Sequence, residues 1–199
     1  MPRNSVTATK PDRREQILDA ALTCFLSQGL AATTIDQIRS ESKASTGSLY
    51  HHFDGKESIA VALYLDRLTS YETGFLETLN ATNDAKDGIS AVVHHHLRWA
   101  QEHPADARFL LGHVYLERQL ARSGDLPEQN RRFYGFVAEW IRNRVNQGHI
   151  RALPADLFYA LWLGPAQELS RQWLNKRSTT QPTNAADLLA DAAWNTLRA

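Results

Sequence analysis

The sequence predicts an all-α protein of about nine helices, and three observations support this fold class. Apolar residues recur at helical spacing, and no segment shows the strict alternation of a half-buried strand. Val and Ile are sparse beside Ala and Leu, a composition that favours helices over sheets. Pro104, Pro127 and Pro154 stand where a helix tolerates proline, in its first turn.

Capping and breaking residues divide the chain into these elements. The predicted helices span about residues 11–29, 34–41, 45–52, 54–80, 84–103, 105–122, 127–148, 154–177 and 184–198. Asp54 and Glu57 have the spacing of an Asp-x-x-Glu cap at the start of the fourth helix. Gly124 and Gly148 stand where helices are expected to stop. The second and third helices are unusually short in a chain of long ones.

Composition places the chain among ordinary globular proteins, with 199 residues, 43% of them hydrophobic and 22% charged. The single cysteine, Cys24, provides neither an intramolecular disulfide nor a zinc-ligand pair. The polar N-terminus lacks the apolar core of a secretory signal, and the longest uncharged run, residues 20–35, is too short and too polar to span a bilayer. We therefore expect a cytoplasmic protein without a membrane partner.

The third predicted helix has the character of a DNA-recognition helix. Ser45 is a good N-cap, and Leu49 and Phe53, four residues apart, form one buried face. The opposite face presents only small polar or aromatic groups, from Thr46, Gly47, Ser48, Tyr50, His51 and His52. A helix this short is not stable alone, and a polar N-terminal end of this kind suits contact with base edges in the major groove.

Lys56 is a second indication of nucleic-acid binding. It lies in the first turn of the fourth helix, where the helix dipole disfavours a cation. A phosphate at that helix end would reverse the sign of the effect, because helix N-termini bind anions.

Charge gives the DNA hypothesis no support, since the chain carries 22 basic and 22 acidic side chains and its first 60 residues are also close to neutral. The alternative is that residues 33–53 are two packing helices with a solvated polar face. Composition alone leaves these two interpretations about even.

One set of residues within positions 14–64 forms a recognisable pattern: Ile17-Leu18-Asp19-Ala20-Ala21, Phe25, Gly29, Thr33-Thr34-Ile35, Ile38, Gly47-Ser48-Leu49-Tyr50-His51-His52-Phe53 and Lys56-Glu57. With this pattern, residues 14–64 resemble the DNA-binding domain of the TetR (tetracycline repressor) family. This resemblance implies that Thr34 and Lys56 touch phosphate. It also implies DNA-facing positions for Ser45, Thr46, Gly47, Ser48, Tyr50, His51 and His52. The chain departs from many members at Lys43-Ala44, where Gly-Val is common, and at Thr46, where Lys is common.

The resemblance also implies two domains, an N-terminal arm with the helix-turn-helix over residues 1–54 and a helical effector-binding and dimerisation domain over residues 55–199. Residues 157–164 are apolar almost all round, so a helix there must be buried on every side. Family members dimerise through their last two helices. The expected interface residues are Phe158, Leu161, Trp162, Pro165, Leu169, Leu188 and Ala192. The alternative is that both apolar stripes are intrachain core.

The middle helices are rich in aromatic residues, and in the family this region encloses an effector pocket. The candidate ligand-binding residues are Tyr71, Trp99, His113, Phe136, Trp140 and Gln167. From the residues alone, most aromatics of the region are expected to belong to the core. The side chains of His94, His95 and His96 point in directions about 100° apart on a helix, so they cannot bind one ion together. We therefore expect no metal site, and we expect no cofactor.

An all-helical enzyme is the main rival function, but the chain has no Glu-x-x-His pair, His-Glu-x-x-His, Gly-x-Ser-x-Gly, phosphate loop or dinucleotide-binding glycine pattern. The absence of these patterns argues against an enzyme. The TetR resemblance implies a regulator instead, a homodimer that represses transcription from a palindromic operator and is released by a small-molecule effector. The alternative is a helical adaptor or small-molecule-binding protein that keeps the fold without specific DNA binding.

Overall fold

The computed structural model describes residues 12–116, 120 and 127–199, and these are overwhelmingly helical. Their only bridge pairing is an isolated antiparallel one between Ile150 and Arg198, so the predicted all-α class is confirmed. The arm over residues 1–11, the end of the helix predicted to reach residue 122, and Gly124 lie outside the described residues. The chain divides into two compact units, the first ending at Leu63 and the second spanning Tyr64–Ala199.

The first unit contains three helices and the beginning of a fourth. They are α1 (Arg13–Gln28), α2 (Ile35–Ser42), α3 (Thr46–His52) and α4 (Lys56–Asn80), of which α4 continues into the second unit. α1 packs against α2. Apolar side chains four residues apart on α1, Ile17, Ala21 and Phe25, are buried together with Ile38 of α2.

The second unit is built from long helices. After α4 come α5 (Ala85–Glu102), α6 (Pro104–Gly112), α7 (Glu128–Asn146), α8 (Ala155–Leu174), a 3₁₀ turn (Pro182–Ala185) and α9 (Ala186–Leu197). α5 packs against both α8 and α9, which also pack against each other. Trp162 is fully enclosed and donates its indole N–H to the carbonyl of Ile89 at 3.0 Å. The buried indole therefore has the partner it needs.

Helix α4 begins differently from the prediction. The Gly55 carbonyl accepts from the Ile59 N–H, and the Ser58 hydroxyl oxygen accepts from the Gly55 N–H at 3.1 Å. The cap is therefore built by Gly55 and Ser58, one residue later than the predicted Asp54 and Glu57. α5 has a conventional cap, because the Asp84 carboxylate accepts from the backbone N–H of Lys86 and Asp87.

No helix in the described part of the chain is both long enough and apolar enough to cross a membrane.

Candidate DNA-binding helix and helical cavity

Helix α2 is fixed at its start by a complete capping box. The Thr34 hydroxyl accepts from the Gln37 N–H at 3.3 Å, and the Gln37 side chain accepts from the Thr34 N–H at 2.7 Å. The Gln37 amide also donates to Gln28 of α1 at 3.2 Å. Thr34 is exposed, so its hydroxyl combines a capping role with a position on the surface.

The turn between α2 and α3 depends on Lys43. This residue has a φ of 53°, in the left-handed region, and its N–H is directed at the carbonyls of Arg39 and Ser40. Ala44 follows and donates to the Arg39 carbonyl at 3.2 Å while its side chain is buried. The turn therefore takes the left-handed form that a glycine would adopt more easily, although a lysine occupies the position.

Helix α3 has one buried face and one exposed face. The Ser45 hydroxyl accepts from the Ser48 N–H at 3.1 Å and caps the helix. Leu49 and the following Phe53 are buried, with the Arg14 guanidinium 5.8 Å from the Phe53 ring centroid. The exposed residues are Ser45, Thr46, Gly47, Tyr50, His51 and His52, with Ser48 partly exposed. Tyr50 is 52% exposed, which is unusual for a large aromatic side chain.

Lys56, the first residue of α4, makes a tertiary contact. Its ammonium donates to the Ala31 carbonyl, in the loop between α1 and α2, at 3.2 Å. An ammonium has three donors, so this hydrogen bond is compatible with a second one to a phosphate. The exposed face of α3 offers hydroxyl, phenol and imidazole groups for base edges, and Lys56 adds the nearby charge that phosphate contacts use.

The second unit contains a partly open cavity of about 330 Å³. Its walls are mainly aromatic and aliphatic and include Tyr64, Phe75, Phe133, Tyr134 and Tyr159. Among the predicted ligand-binding residues, Tyr71, Trp99 and Gln167 line this cavity.

The other three predicted ligand-binding residues lie outside the cavity. A ring nitrogen of His113 lies 2.8 Å from the carbonyl of Phe109, one turn earlier on α6. Phe136 is exposed, at 36%, and Trp140 stacks on Trp162 with ring centroids 6.0 Å apart. The effector site proposed below omits these three residues.

Polar groups at the cavity come from α4, α5 and α8. The Tyr71 hydroxyl and His96 Nδ1 lie 3.1 Å apart. The buried Glu72 carboxylate accepts from the side-chain amide of Asn130 at 2.9 Å. Burial, and then the neighbouring His95, lower the pKa of His96 to about 4. Burial also raises the pKa of the Tyr71 phenol, so this pair is uncharged at neutral pH.

Sequence reasoning did not select Glu72 or His96 for the cavity. Glu72 offered a usable signal, because a carboxylate stands in the apolar stripe that Leu68, Phe75 and Leu79 form at helical spacing on α4. His96 offered a weaker one, since it lies within a run of three histidines. His94 contacts Asp187 at 3.3 Å, whereas His95 and His96 are buried.

The predicted dimer residues fall into two groups. Phe158 and Trp162 are buried inside the protomer, where no partner can reach them. The remaining residues, Leu161, Pro165, Leu169, Leu188 and Ala192, are exposed or partly exposed on α8 and α9. Leu188 is 73% exposed.

The N-terminal residues match a known family of regulators. Residues 17–63 match TetR_N, described as bacterial regulatory proteins of the tetR family. The chain is 25% identical over 197 residues to the HTH-type transcriptional regulator SrpR of Pseudomonas putida, covering 96% of this chain and 88% of that protein. It is 36% identical over 87 residues to the HTH-type transcriptional repressor KstR2 of Rhodococcus jostii, spanning 44% of this chain and 43% of the repressor.

Solved structures share the fold. A TetR family transcription regulator from Marinobacter aquaeolei has a TM-score of 0.75 at 19% identity, covering 94% of this chain and 95% of that one. The transcriptional regulator FadR from Bacillus subtilis, in complex with stearoyl-CoA, has a TM-score of 0.74 at 16% identity, covering 89% and 96%.

An exposed, capped α3 behind a tight turn, in an otherwise helical chain, defines a helix-turn-helix DNA-binding regulator of transcription. The match over residues 17–63 identifies this part of the chain as a TetR-type DNA-binding domain.

Proposed function

We propose that the protein is a repressor that binds a palindromic operator as a homodimer and leaves it when a small molecule enters the cavity of the second unit. One observation carries this proposal. Helix α3 is fixed through Leu49 and the following Phe53, while its capped N-terminal end and Tyr50 are exposed. A seven-residue helix with this division is suited to contact with a surface outside the chain. The name of the KstR2 relative, a repressor, favours repression over activation.

The DNA-binding part is tested by selecting genomic fragments on the full-length protein and footprinting the bound ones. We expect an inverted repeat with half-sites about one helical turn apart, since two copies of α3 must reach the same face of the duplex. Binding should weaken as salt rises, because phosphate contacts release counterions. Recovery of no fragment above a random-sequence control would support the helical adaptor instead.

The homodimer is supported by the exposed apolar residues of α8 and α9. Leu157 and Leu188 are exposed, at 44% and 73%, and Leu161 is partly exposed. Large exposed apolar side chains on packed helices are typical of an interface. Sedimentation should give about twice the 22.4 kDa chain mass, and Leu188→Glu should shift the protein towards monomer. A wild-type monomer at micromolar concentration would contradict this proposal.

The effector is supported by the cavity and by FadR, which was crystallised with stearoyl-CoA. A cavity of about 330 Å³ with aromatic walls and a few polar groups has the character of a small-molecule site. A ligand that binds only the folded protein raises its melting temperature by mass action, so a thermal-shift screen identifies candidates. A true effector must also reduce operator binding.

We further propose that the protein acts by binding rather than catalysis, and does so in the cytoplasm, where its DNA target lies. The buried Cys24 fits this view. Burial, and then the nearby Glu41, raise the pKa of its thiol, which disfavours the nucleophilic thiolate.

A further inference from the structure

Tyr71 and His96 form a hydrogen-bonded pair at the wall of the cavity. Both side chains line it, and the phenol oxygen lies 3.1 Å from Nδ1 of the imidazole. The Tyr71 ring also contacts Trp99, with ring centroids 5.0 Å apart, and Phe75 at 6.3 Å. These aromatic neighbours fix the position of the phenol, so the pair is a rigid polar point on a mainly apolar wall.

The pair holds one more proton than its own hydrogen bond uses. A neutral phenol and a neutral imidazole carry one O–H and one N–H. If the phenol donates to Nδ1, the imidazole proton sits on Nε2, which is enclosed and has no partner in the part of the chain described. If Nδ1–H donates to the phenol oxygen, the phenol O–H is the donor left over. Because Nε2 is enclosed, only the second arrangement offers a donor, the uncharged phenol O–H, to an acceptor on a bound molecule.

The charged groups at the cavity already interact within the protein. The Glu72 carboxylate accepts from Asn130, and the Arg171 guanidinium pairs with Glu168 one turn earlier on α8. A charged ligand would have to be desolvated among aromatic walls and compete with these internal partners. An uncharged ligand avoids both costs.

On the basis of the effector cavity proposed above, we propose that it selects an uncharged molecule with an aromatic or alicyclic frame and an acceptor oxygen, such as a ketone or ester. The Tyr71–His96 pair donates to that oxygen, and Phe75, Trp99 and Phe133 pack against the frame. A buried donor left without an acceptor costs more than the bond itself contributes, so the pair discriminates against molecules of the same shape that lack the oxygen.

Four probes of nearly the same shape test this selectivity by calorimetry on the full-length protein at pH 7.5. They are 2-acetylnaphthalene, which is neutral with an acceptor, 2-isopropylnaphthalene, which lacks the acceptor, the anion 2-naphthoate and the cation 2-naphthamidinium. We expect the ketone to bind at least tenfold more tightly than each of the others. Equal binding of the ketone and the hydrocarbon, tighter binding of either ion, or binding of no probe would each overturn this proposal.

Variants test whether the Tyr71–His96 pair causes the preference for the ketone over the hydrocarbon. Each partner alone keeps one donor, so Tyr71→Phe and His96→Leu should each retain part of the preference for the ketone over the hydrocarbon, and the double variant should lose it. Tyr115→Phe, which removes an exposed phenol outside the cavity, should leave the preference unchanged. If the double variant keeps the full preference and has a normal circular-dichroism spectrum, the pair does not donate to the ligand oxygen.

These outcomes are separable from failure of the repressor proposal. Operator binding by the unliganded protein is measured independently of any probe. A protein that binds its operator but favours a charged probe remains a repressor with a different effector class. A protein that favours the ketone but binds no operator is a ligand-binding adaptor.

Discussion

The ammonium of Lys56, at the start of α4, donates to the carbonyl of Ala31, in the loop before α2, at 3.2 Å. The contact joins the segment after α3 to the segment before α2 and so closes the helix-turn-helix. It also offsets the unfavourable position of a cation in the first turn of a helix. Lys56 thus has a structural role beside the phosphate contact that we propose for it.

Replacing Lys56 by Met separates these two roles. We expect the free energy of unfolding to fall by less than about 1 kcal/mol, since the lost hydrogen bond is exposed. Operator affinity should fall more, and the slope of log K against log salt should decrease by about one unit if a phosphate contact is lost. Lys86→Met, at an exposed lysine of α5, is the matched control and should change neither. An unchanged salt slope in Lys56→Met would leave the lysine with its structural role only.

Lys43→Gly should stabilise the protein. Lys43 has a φ of 53°, a conformation that is strained for a residue with a Cβ and free for glycine. We expect a gain of up to about 1 kcal/mol in the free energy of unfolding, measured by denaturant titration. Lys43→Ala keeps the Cβ and should give no gain. Lys176, with a φ of 57° just after α8, is an independent second site where the same substitution should stabilise. Destabilisation at both sites would contradict this explanation.

Gly88 and Gly135 should respond oppositely to the same substitution. A Cβ on Gly88 would lie 2.6 Å from Cζ2 of Trp140, a ring atom held by stacking on Trp162. Gly88→Ala should therefore cost about 1–3 kcal/mol of stability. A Cβ on Gly135, inside α7, meets nothing within 4 Å, so Gly135→Ala should stabilise by up to about 1 kcal/mol. Equal effects of the two substitutions on the unfolding midpoint would show that the α5–α7 packing is described incorrectly.

The free energy of unfolding should fall as the pH drops below 6.5, the pKa of an ordinary histidine. The folded protein holds the pKa of His96 at about 4, against 6.5 for the unperturbed group, so the unfolded chain binds more protons between these values. The stabilisation is complete above about pH 6.5 and is lost as the pH falls towards 4. For His96 alone we expect a loss of about 2 kcal/mol between pH 7 and pH 5, and His95, whose pKa burial also lowers, adds to it.

The measurement is the free energy of unfolding at pH 7, 6 and 5, at one protein concentration because a dimer is expected. His96→Gln should flatten the profile, whereas His103→Gln, at an exposed histidine, should leave it unchanged. A His96→Gln profile as steep as that of the wild type would contradict the assignment.

The helix-turn-helix and the fold class could be predicted from the sequence because their signals are local. Ser45 caps α3, Leu49 is buried and Tyr50 is exposed, as the spacing of polar and apolar residues indicated. The start of α4 was misplaced by one residue, because Ser58 accepts from the Gly55 N–H and so sets the cap one residue after Asp54.

The cavity was less predictable because it depends on how helices pack. Trp99 and Trp140 are both aromatic residues of the middle helices, and the sequence does not distinguish their roles. In the structure, Trp99 lines the cavity, whereas Trp140 stacks on Trp162. Likewise Phe158 and Leu161 belong to one apolar stretch of α8, and only packing decides that Phe158 is buried and Leu161 partly exposed.

The most direct test of DNA binding through the exposed face of α3 compares two tyrosines of similar exposure. Tyr50 on α3 is 52% exposed, and Tyr115 in the second unit is 49% exposed. Operator affinity is measured by fluorescence anisotropy for Tyr50→Ala and Tyr115→Ala, with melting temperatures as the check on folding. Tyr50→Ala should weaken operator binding at least tenfold, about 1.4 kcal/mol, while Tyr115→Ala binds as the wild type does. Equal affinity of both variants and the wild type, with all three folded, would contradict the assignment of α3 as the recognition helix.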